Sequence, residues 1–155
     1  MSEHHFTMQS TEPAFVRVMV SSDVEQTVSI HKRNNTAAGT AVFKGKGNDN
    51  APLPPAGTTP SWLETDSLGR LFFTPTANEE YTLSVQKTGS SSAETLHLGH
   101  GSTAVSFPKT GTFHIYWAVN EASQSGTGDF TDSVVIVTQG PWGNPLPPPP
   151  PAPTC

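Results

Sequence analysis

Six histidines are the side chains of this 155-residue chain best suited to hold a metal ion. His97 and His100 stand three apart, and His114 falls on the neighbouring strand of the pattern described below. Three imidazoles and a water would suit Zn²⁺ or Cu²⁺. Strand alternation turns His97 and His114 away from the core, so they are expected to converge on one outer face. The opposing reading is a set of ordinary surface histidines, since no cysteine or nearby carboxylate completes the ligands. His4 and His5 read as polar sequence on an N-terminal arm, and no cofactor is expected.

A second constellation could recognise a sugar. Trp62, Tyr116 and Trp142 are aromatic candidates for stacking on a pyranose, and Asn48, Asp49 and Asn50 supply amide and carboxylate partners nearby. Against this, Trp62 and Trp142 would serve equally well as plugs at the ends of a sheet. Calcium needs six to eight oxygens. Neither Asp129 and Asp132 nor the 48–50 run has the alternating acidic spacing of a dedicated loop, so both read as turns. Asn34-Asn35-Thr36 fits a glycosylation sequon and reads as a polar turn.

Catalytic patterns are missing. No serine stands in Gly-x-Ser-x-Gly, and the lone cysteine, Cys155, ends the chain. Gly45-Lys46-Gly47 lacks the spacing of a phosphate-cradling loop. Glu79 and Glu80 are strand neighbours that face opposite sides, which unsuits them as a carboxylate pair. The expectation is a protein that is not an enzyme.

The elements that would position these residues are strands. Val16, Val18 and Val20 alternate with Arg17 and Met19, and Val28 and Ile30 continue the period of two after a short link at 21–25. Further strands are expected at 40–44, 68–74, 80–87, 95–98, 112–120 and 132–138. Tyr81, Leu83 and Val85 point inward in this scheme, as do Leu96 and Leu98. Phe113, Ile115, Trp117 and Val119 share one face, opposite His114. Residues 45–61, with Pro52, Pro54, Pro55 and Pro60, read as one long surface loop, the kind that is usually functional or disordered. No ten-residue window holds a helical apolar pattern free of Gly or Pro.

Eight or nine short strands with turn chemistry between them point to an all-β fold, an antiparallel β-sandwich of immunoglobulin-like or jelly-roll-like type. Phe107-Pro108-Lys109-Thr110-Gly111-Thr112-Phe113-His114-Ile115, followed by Asp132-Ser133-Val134-Val135-Ile136-Val137, resembles the last strand pair of immunoglobulin-like domains of bacterial and viral surface and structural proteins. The resemblance covers about thirty-five residues. It implies a sandwich and names no function. The cysteine pair of antibody-type domains is missing.

The domain plan is an arm at 1–13, one domain at 14–140 and a proline-rich tail at 141–155. Pro147, Pro148, Pro149, Pro150 and Pro151 fix φ and remove donors, so the tail is expected as polyproline II. It reads as a spacer or as a ligand for aromatic grooves.

Charged residues are only 14% of the chain and the net charge is −5. Lys32-Arg33 and Lys44/Lys46 are the main basic concentrations, too little for phosphate neutralisation, so no nucleic-acid partner is expected. No apolar stretch reaches the ~18–20 residues of a membrane span. The first ten residues lack the basic and apolar regions of a secretory leader. Synthesis in the cytoplasm, with incorporation into a particle or non-standard export, is expected. These features favour a non-enzymatic structural or assembly subunit that self-associates through loops and arms. The alternatives are a lectin-like carbohydrate-binding module and a module presenting a polyproline ligand.

Overall fold

The computed structural model describes residues 4–8, 12–76, 78–89, 96–106, 110–120 and 133–141, without the side chains of Asn50 and Asn120. Expectations for the 107–109 turn, Asp129, Asp132, Trp142, the proline run and Cys155 lie outside the described residues.

The fold is built on one strand. β2 (Ala14–Lys32) is 19 residues long and antiparallel to four others. On one edge it pairs with β9 (Ser133–Gln139) through residues 14–20, then with β6 (Glu79–Lys87) through residues 26–32. On the other edge lie β5 (Leu71–Phe73) and β3 (Thr40–Pro52). The sheet therefore forks at β2. One arm runs β2, β6, β1 (His4–Met8); the other runs β2, β9, β8 (Gly111–Asn120), β7 (Leu96–Val105). β4 (Glu64–Thr65) adds a short hairpin to β5. A single 3-10 turn, Thr36–Ala38, is the helical element among the described residues.

The two layers expected of a sandwich are thus two arms of one nearly closed antiparallel sheet. Phe6 of β1 lies 6.0 Å, centroid to centroid, from Tyr116 of β8, so the arms return towards each other. Between them sit Val16, Val18, Val20, Leu83, Val135 and Val137. Aromatic rings close the other end, where Tyr81 packs against Phe73 at 4.8 Å and Phe6 at 5.6 Å.

Several local expectations need correction. The link at 21–25 is no turn: β2 runs through it, and two register shifts, Val20/Ser22 and Ser22/Gln26, absorb the polar residues as bulges. Buried Gln26 secures the bend by donating to the Val24 carbonyl at 3.1 Å and the Ser22 hydroxyl at 3.4 Å. The loop at 45–61 begins as strand, since β3 extends to Pro52; Leu53 and Pro60 are buried beyond it. The arm at 1–13 contributes β1, which carries fully buried Met8 into the core and pairs with β6. The strand expected at 68–74 shrinks to β5, and Leu68 is 66% exposed in the turn before it.

That turn is held by a carboxylate. Asp66 Oδ1 accepts the backbone N–H groups of Leu68 and Arg70, both at 2.9 Å, and Oδ2 accepts from the Arg70 guanidinium at 2.7 Å. Burial works against the charge, yet these bonds from Arg70 and Leu68 hold the carboxyl below its usual range. The Arg70 guanidinium also lies 4.7 Å over the Phe15 ring.

Candidate functional site

Where the two arms of the sheet approach, they leave an open groove of about 420 Å³. β1 supplies His4, His5, Phe6 and Thr7 on one side. The β7–β8 hairpin supplies Leu98, His100 and Tyr116 on the other, and Ala118, Val135 and Val137 form the floor. Its position follows from register. Leu98 pairs with Ala118, His100 with Tyr116 and Ser102 with His114, so all six share the inner face of the hairpin. The β1 arm covers only part of that face, which leaves Leu98 47% exposed although it points inward.

The walls are aromatic and imidazole. His100 stacks on Tyr116 with centroids 4.4 Å apart and planes 13° from parallel. His114 stacks beside it, with its Nδ1 3.5 Å from His100 Nε2. On β1, His5 Nδ1 lies 3.0 Å from the Thr82 hydroxyl, a bond that ties the strand to β6. His4 Nε2 is buried and has no hydrogen-bond partner among the described residues.

Burial disfavours the charged form of two of these imidazoles. Burial, then the adjacent imidazole of His5, holds His4 below the usual histidine range. Burial, then His100, does the same for His114. The Tyr116 hydroxyl is pushed up by burial. Apolar surface with a few neutral donors and acceptors at its rim is the ordinary make-up of a small-molecule site. It can seat a compact ring by apolar contact and orient it by hydrogen bonds to imidazole nitrogens. Among the described residues no carboxylate lines the groove.

The expected histidine trio is divided. His100 and His114 come together, but His97 pairs with Val119 on the opposite face of β7 and β8. Their convergence was expected from an alternation that placed Phe113, Ile115, Trp117 and Val119 on the core side. The register does the reverse: Tyr116, Ala118 and His114 face inward. Among the described residues no three His, Cys, Asp or Glu side chains gather as metal ligands.

The expected sugar-contacting residues also separate. Tyr116 lies in the groove. Trp62 seals the aromatic end of the core, edge-on to Phe73 at 5.5 Å, with its Nε1 donating to the Gly39 carbonyl at 3.3 Å. Asn48 and Asp49 are exposed on β3, where Asp49 has a positive φ of 58° that an aspartate tolerates. Sequence reasoning missed His4, His5 and Leu98. The available signal was the Phe6-to-Met8 alternation, which makes residues 4–8 a strand.

The architecture belongs to a known structural class: it is an all-β fold that bacterial lectins share. The Ralstonia solanacearum high-affinity mannose-binding lectin is similar over 90% of this chain and 96% of its own, with a TM-score of 0.58 and 15% identity. The Chromobacterium violaceum lectin CV2L, solved with alpha-methyl-fucoside, matches over 90% and 96%, with a TM-score of 0.56 and 18% identity. The C-terminal domain of the BC2L-C lectin from Burkholderia cenocepacia matches over 91% and 99%, with a TM-score of 0.55 and 16% identity. No protein-family model and no curated sequence matches the chain. No helix among the described residues is long and apolar enough to cross a membrane.

Proposed function

We propose that this chain is a non-enzymatic carbohydrate-binding module, and that the groove between β1 and the β7–β8 hairpin seats the sugar. The observation that carries the first part is the fold, shared across nine-tenths of the chain with three lectins. It moves carbohydrate binding ahead of the assembly subunit favoured by composition alone. Support for the second part is chemical. The groove offers apolar contact from Leu98 and Phe6 and imidazole nitrogens at His4 and His100, and no Lys, Arg, Asp or Glu stands among its described lining residues. Simple hexoses such as mannosides and fucosides are the class to try first, because two of the similar lectins are named or solved with them.

The test is a glycan array followed by titration calorimetry with the best hits. Binding of at least one neutral monosaccharide or short glycan is expected. Replacing His100 with Ala and Leu98 with Glu should weaken it at least tenfold, about 1.4 kcal/mol. An array without hits would sink the carbohydrate reading. Undiminished binding by the double variant would move the sugar to another part of the chain.

A further inference from the structure

A second groove opens along the other edge of β2 and shares no lining residue with the one between β1 and the hairpin. Two partners divide that edge between them. β5 pairs with residues 14–16, and β3 meets the strand again where Met19 pairs with Pro52 and the Leu53 N–H donates to the Val18 carbonyl at 2.9 Å. Where they part, a space of about 1300 Å³ is left, with Phe15, Ile136, Pro54 and Leu68 among its apolar lining. That is roomier than the roughly 300–1,000 Å³ of an ordinary ligand pocket and takes a fused ring system.

The charge of this groove is one-sided. Arg17 and Arg70 line it, and among the described residues no Asp, Glu, Lys or His does. The antiparallel ladder explains why they meet. Phe15 pairs with Phe72 and Val16 with Leu71, so the same register carried one step further sets Arg70 opposite Arg17. Like charges directly opposite are destabilising. For Arg70 the repulsion is offset: its Nε and Nη2 each lie 2.7 Å from Asp66 Oδ2, and its guanidinium lies 4.7 Å over the Phe15 ring. Its Nη1 has no bond among the described residues. Arg17 is exposed, stands two residues on from Phe15 on the same face of β2, and meets no carboxylate among the described residues. Lys32, Arg33 and Lys44, by contrast, each meet a glutamate at 2.6–3.6 Å. In a chain of net charge −5, the groove is therefore a local surplus of positive charge.

We propose that this groove binds a small organic anion, a carboxylate, sulfate or sulfonate carried on an apolar ring. The anionic group sits between the two guanidinia, whose planar N–H forks match its oxygens. The ring lies against Ile136, Pro54 and Leu68, out of water. Arg70 is already held by Asp66 and Phe15, so little of its side-chain freedom is lost on binding. Charge selects the occupant. A neutral ligand would take Arg17 out of water without giving it a partner, and a cation would be repelled.

The experiment is fluorescence titration of the full chain with anilinonaphthalene sulfonate, beside phenylnaphthylamine, the same rings without the sulfonate. Saturable binding of the sulfonate is expected, at least tenfold tighter than that of the neutral dye. Arg17→Gln should weaken the sulfonate at least tenfold and leave the neutral dye where it was. Arg17→Lys, which keeps the charge and loses the fork, should fall between. Leu98→Glu, in the other groove, should change nothing, so a failure of the carbohydrate reading leaves this one standing. Circular dichroism checks that each variant is folded. Should Arg17→Gln not fold, Leu68→Asp, at a turn position 66% exposed, sets a like charge on the wall and carries the same expectation. No saturable binding, a neutral dye bound as tightly as the sulfonate, a folded Arg17→Gln or Leu68→Asp variant that binds like wild type, or loss of binding in Leu98→Glu would each overturn the proposal.

Discussion

At the scale of the residue, two histidines, one lining the groove and one stacked beside it, carry a sign that can be measured. His4 and His114 are both held below the ordinary imidazole range, first by burial and then by a neighbouring imidazole. Folding thus favours their neutral forms, and the unfolded chain binds protons more readily near its pKa of about 6.5. Their contribution is fully present above that pH and is lost as pH falls through it towards the lower folded values. Urea denaturation should therefore give a lower midpoint at pH 5.5 than at pH 7.5, and His114→Gln should narrow the gap. An equal gap in the variant would remove His114 from the account. A second residue-scale prediction concerns Tyr81, which is buried among Phe6, Trp62 and Phe73 and donates its hydroxyl to Glu79 at 2.8 Å. Burial, with Glu79 beside it, pushes its ionisation far above the usual range, so it stays a donor at any working pH. Tyr81→Phe should cost about 1 kcal/mol and Tyr81→Ala about 3–5 kcal/mol by thermal or urea unfolding.

At the scale of the element, alternation made some strands legible and misassigned others. Tyr81, Leu83 and Val85 are buried as the period of two required, and so are Val28 and Ile30. β8 defeated the same reasoning because its two faces carry comparable apolar residues: Phe113, Ile115, Trp117 and Val119 against Tyr116 and Ala118. Period alone cannot say which of two apolar faces is the inner one. The answer comes from register with β9, where Ala118 meets Val135 and Tyr116 meets Val137. β2 was obscured for another reason. Ser21-Ser22-Asp23-Val24-Glu25 has turn composition, and only long-range pairing with β3 and β6 shows that the strand bends through it. Gln26 is the residue on which that bend depends. Gln26→Ala leaves the Val24 carbonyl and Ser22 hydroxyl without this donor and should cost about 1–3 kcal/mol in urea unfolding. A change within a few tenths would mean that the bulge holds without it.

At the scale of the whole molecule, both grooves arise from one cause: β2 is longer than any of its partners, so two share each edge and the sheet forks there. The β6–β1 arm covers the inner side of β9 but only part of the inner face of β7 and β8, which leaves Leu98 and His100 lining an opening. On the other edge β5 and β3 part beside Arg17, which leaves it lining the second groove. His100, His114 and Tyr116 were legible as candidates from residue type. The meeting of His100 and Tyr116 with residues 4–6 was not, because β1 and β8 are more than a hundred residues apart and approach only through the fork. The second groove exists only where β2, β5 and the segment of Pro54 are assembled, so an anion bound there must stabilise the folded chain. Anilinonaphthalene sulfonate at a hundredfold its Kd adds about 2.7 kcal/mol. For a chain of this size that shifts Tm upward by roughly 5–11 °C. Calorimetric scans should show this rise for the wild type and little of it for Arg17→Gln. A Tm that falls as the dye is added would mean that the dye follows loosened chain rather than a formed groove, and would remove the second groove from the account.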